Sequence, residues 1–444
     1  MVVVANPDAQ ILKQASHPDV PALSELERYR AKRERFYLRL ANRWPGTLLD
    51  AYDLLEVYPL PSDEIVAITE AAAAIARIYQ RSATLLRTVS DDALLQMGLP
   101  RETLAHARIQ TADMPDTVIG RLDLVKTTDG FKLLEFNADT PGLLIETFPI
   151  NELACEESGL VNPNRFGEAA LAAALTRAVK SGLAYVGKSM SERARIVFSS
   201  WATYPRDRDI TQYLMSLLEF PDNLELQYLP LEALSTDGDG LFDSNGNQID
   251  VLYRFYPTAF FRGRMFQDHH QGDALMHDGR VLFSLVQSHK LAIINPPAAF
   301  LLEGKAVQAV VWGLFQLEKY FNSEERYLIE RYFLPTYLDP TYCDGPYVVK
   351  PIYGGEGDSI AIVDPSNGNV VRSNSSSYLE GPMVYQKYVE LPRVELMTED
   401  GPRVLQLLTS CFLVDGQPVG ISLRAGEAFT DYSWWCVPVC VASS

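Results

Sequence analysis

Four polar side chains interrupt an otherwise apolar run. Residues 121–142 read RLDLVKTTDGFKLLEFNADTPG, and the interruptions are Arg121, Asp123, Glu135 and Asn137. TTDG at 127–130 is a turn signal between two strand-like halves. A hairpin symmetric about Asp129 sets Asp123 opposite Glu135 and Arg121 opposite Asn137. All four share one face, because strand side chains alternate. Leu122, Leu124, Leu134 and Phe136 then take the core face. Carboxylates directly opposite one another on a sheet repel, and a cation between them resolves the conflict. Two carboxylates and an amide oxygen are hard donors that suit Mg2+, whose remaining positions are usually filled by nucleotide phosphates. Arg121 beside them suits an anion, such as a transferring phosphoryl group or a carboxylate. A solvated face closed by an Arg–Asp pair is the plainer reading of the same residues, and a one-residue slip would undo the arrangement.

The C-terminal third supplies what a phosphate site needs. YVVKPIYGGEGDS places Lys350 at the end of an apolar strand and follows it with a glycine-rich loop containing Gly357 and Asp358. A lysine there can bind phosphates, and glycines let backbone N–H groups approach them. Lys305 opens another segment as a second candidate lysine. Gln386, Lys387, Tyr388 and Val389 lie in VYQKYVELP, a strand running into a linker, where backbone groups can read an adenine. Arg424 follows the apolar strand VGISL. Each feature alone also fits an ordinary strand, hairpin or surface ion pair.

The elements that must position these residues follow from periodicity. Residues 1–110 read as helical: SELERYRAKRERFYLRLANRW and DEIVAITEAAAAIARIYQRSATLLR carry apolar residues at helical spacing. Ser24 with Glu27 three residues later is a capping box. Residues 111–190 hold the hairpin and a helix near 165–182, residues 191–295 alternate strands and helices, and residues 296–444 are mostly strands. The chain thus reads as α/β with α+β parts. Its length of 444 residues allows two or three domains and a large core. A net charge of −18 argues against nucleic acid and anionic membranes as partners. No apolar run is long enough to span a bilayer, and MVVVANPDAQ lacks the features of a signal peptide. Five loosely spaced cysteines (Cys155, Cys343, Cys411, Cys436 and Cys440) fit a reduced cytoplasm better than a disulfide framework. WWCVPVC is apolar and shows no further zinc ligands. Asn374 heads a formal glycosylation sequon, which is only a polar loop in a cytoplasmic protein.

GLAYVGKS, residues 182–189, matches the phosphate-loop pattern literally. That loop needs a strand before it and a helix after it. Here a helix precedes and a strand follows, so the helix is expected to end at Gly182 with Lys188 and Ser189 in a linker.

The blocks RLDL…LLEFNADTP, VVKPIYGGEGDSIAIVD with VYQKYVELPR, and GQPVGISLR resemble, in order and spacing, the synthetase domain of glutathionylspermidine synthase, an ATP-grasp ligase family. The likeness runs from about residue 110 to the C-terminus and lacks that family's amidase half. It implies an ATP-grasp-type ligase fold with a pre-ATP-grasp-like α/β domain at 191–295, an ATP-grasp domain at 296–444 and a helical N-terminal region. It also implies ATP- and Mg2+-dependent amide formation between a small-molecule or peptide carboxylate and an amine, through an acyl phosphate. On it, Asp123, Glu135 and Asn137 are magnesium ligands, and Arg121 is the catalytic contact to phosphoryl group and carboxylate. Lys305, Lys350, Gly357, Asp358, Gln386, Lys387, Tyr388 and Val389 hold ATP, and Arg424 and Asp207 hold substrate. The sequence departs from the family's pattern on the substrate side. Gly355 stands for an arginine, Gly142 and Leu143 for a serine region, Arg206 for one of two acids (Asp207 being the other), and Ala259 for a glutamate. Glutathione and spermidine are therefore not the expected substrates. The rival reading is a nucleotide-binding regulatory or partner-binding protein without catalysis.

Overall fold

The computed structural model describes residues 23–41, 43–48, 54–111, 113–257, 264–268, 272–355, 357–372, 381–427, 429–430 and 433–443. MVVVANPDAQ, Ala259 and the Asn374 sequon lie outside the described residues.

Helix α1 (Glu25–Leu40) starts at the capping box: the Glu27 N–H donates to Ser24 Oγ at 3.3 Å, and the Ser24 N–H donates to the Glu27 carboxylate at 2.8 Å. Helix α2 (Ser62–Leu86) buries Ile68, Ile75, Tyr79 and Leu86 along one stripe. Strands β1 (Ile119–Thr127) and β2 (Gly130–Asn137) form the hairpin. Helix α3 spans Gly167–Tyr185. A four-stranded sheet follows, from β3 (Ala194–Ser200), β4 (Leu224–Tyr228), β5 (Val251–Phe255) and β6 (Ala292–Ile294), with α4 (Pro205–Ser216) after β3. Its strands are all parallel, in the order β6-β5-β3-β4, the arrangement that alternating strands and helices dictate.

Helices α5 (Ala306–Gln316) and α6 (Ser323–Tyr332) lead to a five-stranded antiparallel sheet. It is built from β7 (Thr336–Tyr337), β8 (Tyr347–Pro351), β9 (Ala361–Asp364), β10 (Asn369–Arg372) and β11 (Met383–Lys387), in the order β7-β11-β8-β9-β10. The last strands, β12 (Arg393–Thr398), β13 (Gly401–Val414), β14 (Gln417–Gly426) and β15 (Trp435–Val437), return to the hairpin. Together they make a six-stranded sheet, β15-β14-β13-β1-β2, with β12 also on β13. Strand β1 pairs with β13 from Ile119↔Val414 to Leu124↔Thr409, so the hairpin and the C-terminal strands form one surface.

One face of that sheet is apolar. Leu122, Leu124, Leu133 and Phe136 join Cys411, Leu413, Ile421 and Leu423 in a core shared with α2, α5 and α6. Tyr79 of α2 meets Phe136 edge to face at 4.8 Å. A second core packs α1 and α3 against the parallel sheet. The other face of the six-stranded sheet carries the polar residues of the hairpin and looks toward the five-stranded sheet across a cleft.

Two sequence expectations need correction. The hairpin is not symmetric about Asp129. Thr127 pairs with Gly130, leaving a two-residue loop, and Leu124 pairs with Leu133. A bulge between Asp123 and Leu124 then restores the register, so Asp123 still opposes Glu135 and Arg121 opposes Asn137. Leu133 therefore takes the core position expected of Leu134, and Leu134 lines the cleft. Helix α3 also runs past Gly182 to Tyr185 and stops at Gly187, whose φ is +78°. Gly182 lies inside it because a side chain there would press on Ala292 and Val251 of the parallel sheet. Among the described residues, no helix is long and apolar enough to cross a membrane.

Candidate active site

The cleft encloses about 1150 Å³, its open mouth included. Arg121, Asp123, Glu135 and Asn137 line one wall, with Arg424 from β14. Lys305, Lys350, Gly357, Asp358, Gln386, Lys387, Tyr388 and Val389 line the rest. Of the site residues read from the sequence, Asp207 alone lies elsewhere. It stands in the first turn of α4, beside Arg206, whose guanidinium is ion-paired with Glu146.

Asp123 is the hub of the sheet wall. Arg121 grips it with two bonds, Nε at 2.8 Å and Nη2 at 3.0 Å. Arg424 Nη2 donates at 2.9 Å, Ser410 Oγ at 2.7 Å and Asn137 Nδ2 at 3.3 Å. Burial alone would raise this carboxyl. The Arg121 and Arg424 guanidiniums outweigh it and hold the group well below the usual carboxylate range. Arg121 also donates to the Gly142 carbonyl at 3.2 Å. The next residue, Leu143, sits at φ +73°, a conformation that disfavours a branched side chain.

Glu135 faces the other way along the same wall and pairs with Lys305 at 3.1 Å. Lys305 caps α5 and also donates to the Gly354 carbonyl at 2.8 Å. Lys350 is buried and donates to Gln386 Oε1 at 2.7 Å and to the Leu134 carbonyl at 3.3 Å. Burial pushes its ammonium down to about 8, with Glu135 opposing and Lys305 adding to the fall. Gly357, at φ +66°, passes so close to the Thr430 carbonyl that a Cβ would sit 2.4 Å from it. Gly355 has open space on that side. In the 386–389 segment the Lys387 and Tyr388 N–H groups are spent on the Pro335 and Pro346 carbonyls, at 2.8 and 2.9 Å.

Among the described residues, five cationic side chains (Arg121, Lys305, Lys350, Lys387 and Arg424) face three acidic ones (Asp123, Glu135 and Asp358) around the cleft. That surplus suits a polyanion. Asp123, Glu135 and the Asn137 amide oxygen are oxygen donors on one wall, a set that fits a divalent cation shared with a phosphate ligand. Among the described residues, no cluster of three or more His, Cys, Asp or Glu forms a metal site of its own, so such an ion would need the amide and the ligand to complete it.

The profile of the glutathionylspermidine synthase preATP-grasp family matches residues 52–442. The chain belongs to that family. A solved glutathione synthetase-like effector from Globodera pallida has 14% sequence identity and a TM-score of 0.57, with 92% of this chain and 96% of that one covered. The likeness shows a shared mixed helix-and-sheet, ATP-grasp-like fold. A putative gamma-glutamylcysteine synthetase from Methylobacillus flagellatus KT is 12% identical at a TM-score of 0.32, over 86% of this chain and 88% of that one.

The sequence reading of this glutathionylspermidine synthase-family protein missed several residues around the site. Ser410 was hidden in an apolar strand and shows its role only when β13 meets β1. Glu303 accepts the Ala138 and Asp139 N–H groups at 2.6 and 2.9 Å, and burial, with the Asp139 charge behind it, pushes its carboxyl up to about 7. Asp139 in turn pairs with the buried Arg254 at 2.5 Å, which ties the end of the hairpin to β5. Lys188 of the phosphate-loop lookalike pairs with Asp250 at 2.8 Å, outside the cleft.

Proposed function

We propose that the protein is an ATP- and Mg2+-dependent carboxylate–amine ligase that forms an amide through an acyl phosphate. One observation carries this reading. The acid–amide wall of the six-stranded sheet and the two lysines and glycine loop opposite it converge on a single cleft.

On this reading the 386–389 segment holds the adenine, and Lys305 and Lys350 hold phosphate oxygens. Lys350 can do so because its buried ammonium is oriented by Gln386 Oε1, while the Glu135 carboxylate opposes the cost that burial puts on its charge. Asp123, Glu135 and Asn137 would hold magnesium, which offsets phosphate charge when bound. Arg121 faces the acceptor. Its Nε and Nη2 lock onto Asp123, so the guanidinium is fixed in orientation before substrate arrives. The acceptor carboxylate takes the γ-phosphoryl group, ADP leaves, and an amine attacks the acyl carbon and expels phosphate. The work is positioning and charge neutralisation.

The acceptor side differs from the family's pattern. Arg206, standing where the family has an acid, supplies no carboxylate for an amine, and its guanidinium is ion-paired with Glu146. This supports an acid and amine other than glutathione and spermidine. It is also the observation that favours the second reading, a nucleotide-binding regulator without turnover. A cytoplasmic location completes the proposal, supported by five free thiols.

The test is ADP release by the purified protein with MgATP, with and without fractionated metabolites, and separately with glutathione plus spermidine. Stimulation by a fraction supports the ligase and leads to its substrates. Binding of MgATP with no stimulated turnover favours the regulator, and no binding of MgATP rejects both.

A further inference from the structure

The cleft lysine Lys350 is held by a chain of side chains that reaches beyond the cleft. Its Nζ donates to Gln386 Oε1 at 2.7 Å. The Gln386 Nε2 donates at 2.8 Å to Oε1 of Gln308, a residue of α5 that is 1% exposed. The Gln308 Nε2 donates at 3.2 Å to the backbone carbonyl of Leu134.

The direction of this chain is set at its far end. A backbone carbonyl only accepts, so Gln308 must turn its NH2 toward Leu134. That leaves Gln308 Oε1 to receive the Gln386 NH2, and the Gln386 carbonyl oxygen is then the atom facing Lys350. Reversing Gln386 would put an NH2 against an ammonium. Two other acceptors help to hold the Gln386 NH2, the Leu134 carbonyl at 3.3 Å and Thr336 Oγ at 3.4 Å, but Gln308 makes the shortest contact.

The bulge next to Glu135 makes the chain possible. It turns Leu134 out of the core, and its carbonyl receives Lys350, Gln386 and Gln308 together. Gln308 itself does not line the cleft.

We infer that Gln308 is a positioning residue for Lys350, acting through the side chain of Gln386. The inference rests on the nucleotide reading of the cleft. It requires that Gln308 matter for the phosphates of a nucleotide and not for its base, and only while Gln386 is present.

The experiment is calorimetric titration of the full chain with MgATP and with adenosine. It compares wild type, Gln308→Leu, Gln308→Glu, Gln386→Leu and the Gln308→Leu/Gln386→Leu pair. Loss of one neutral hydrogen bond in the chain predicts that Gln308→Leu weakens MgATP about three- to tenfold. Adenosine affinity stays within about twofold of wild type, because the lost contact runs through the Gln386 side chain to the phosphate lysine, whereas the base is read by backbone groups of the 386–389 segment. Gln308→Glu keeps an oxygen for the Gln386 NH2 but loses the donor to the Leu134 carbonyl, so it recovers at most part of the loss. In the Gln386→Leu background, Gln308→Leu costs nothing further, as expected for residues acting in one chain. The inference is overturned if MgATP binding is unchanged in Gln308→Leu, if MgATP and adenosine weaken equally, or if the two losses add. Wild-type protein that binds no MgATP overturns the nucleotide reading, and this inference with it. Wild-type binding with an indifferent Gln308→Leu overturns the inference alone.

Discussion

Arg424 and Asp123 lie 301 residues apart in the chain and meet at 2.9 Å in the wall of the cleft. The carboxylate between Arg121 and Arg424 is thus a structural keystone as well as a candidate metal ligand, and the two roles can be separated.

Asp123→Ala leaves two buried guanidiniums without their shared anion. Breaking a buried pair from one side costs about 3–5 kcal/mol, so denaturant unfolding should show a loss of that order. Glu135→Gln touches a side chain that is 26% exposed and whose ion pair, among the described residues, is with Lys305. Its stability should fall by roughly 1–3 kcal/mol, less than in Asp123→Ala, because one charge-assisted contact to the buried Lys305 is weakened and not removed. If Glu135 holds magnesium, MgATP affinity should still fall at least about tenfold, ~1.4 kcal/mol. Unchanged MgATP binding in Glu135→Gln would remove the hairpin from the proposed metal site.

Lys350 gives a pH signature of two opposite signs. Its ammonium is depressed from 10.5 to about 8 in the fold. Between those values the unfolded chain binds more protons than the folded one, so stability rises with pH across that window. The burden of about 3 kcal/mol is fully present below pH 8 and is relieved as pH climbs toward 10.5. Nucleotide affinity should move the other way and fall above pH 8 as the charge is lost. Lys350→Met should abolish both trends, which unfolding and binding titrations at pH 7 to 10 would show.

Gly357 and Gly355 should respond differently to the same change. Gly357→Ala meets both a left-handed backbone and the Thr430 carbonyl, and should cost at least about 1 kcal/mol together with much of the nucleotide affinity. Gly355→Ala has open space and should be near neutral. Fluorescence titration of the two variants is sufficient.

Lys188→Ala tests the phosphate-loop lookalike. Its partner is Asp250, in an ion pair whose lysine side chain is 35% exposed. The loss should be under about 1 kcal/mol of stability, and nucleotide binding should be unchanged. A large loss of binding would move the nucleotide out of the cleft.

Much of this site was legible in the sequence, for local reasons. Turn residues flank an alternating run in the hairpin, so the pairs Asp123–Glu135 and Arg121–Asn137 follow from spacing. The bulge does not, because Leu133 and Leu134 are the same residue type and pattern cannot say which faces the core. Alternating strands and helices likewise announce the parallel sheet of residues 194–294. The Arg424–Asp123 contact and the place of Ser410 depend on which distant strand neighbours β1, and no local signal carries that. Gln308 was the lone polar residue of AVQAVV, a hint that it needs a buried partner, but the partners come from two other sheets. Asp207 was placed by likeness to the family alone, and its helix keeps it outside the cleft.

The strand pairing has a consequence for the order of events during synthesis. β1 completes its pairing with β13, residues 401–414. At chain growth of about 5–20 residues per second, roughly 270 or more residues must follow the hairpin before that partner exists. Until then β1 has one edge open, and Arg121 and Asp123 lack both Ser410 and Arg424. The cleft wall therefore cannot be completed before residues 401–424 have been made. A chain stopped before β13 would carry an exposed edge strand, a template for self-association, instead of a weakened catalyst.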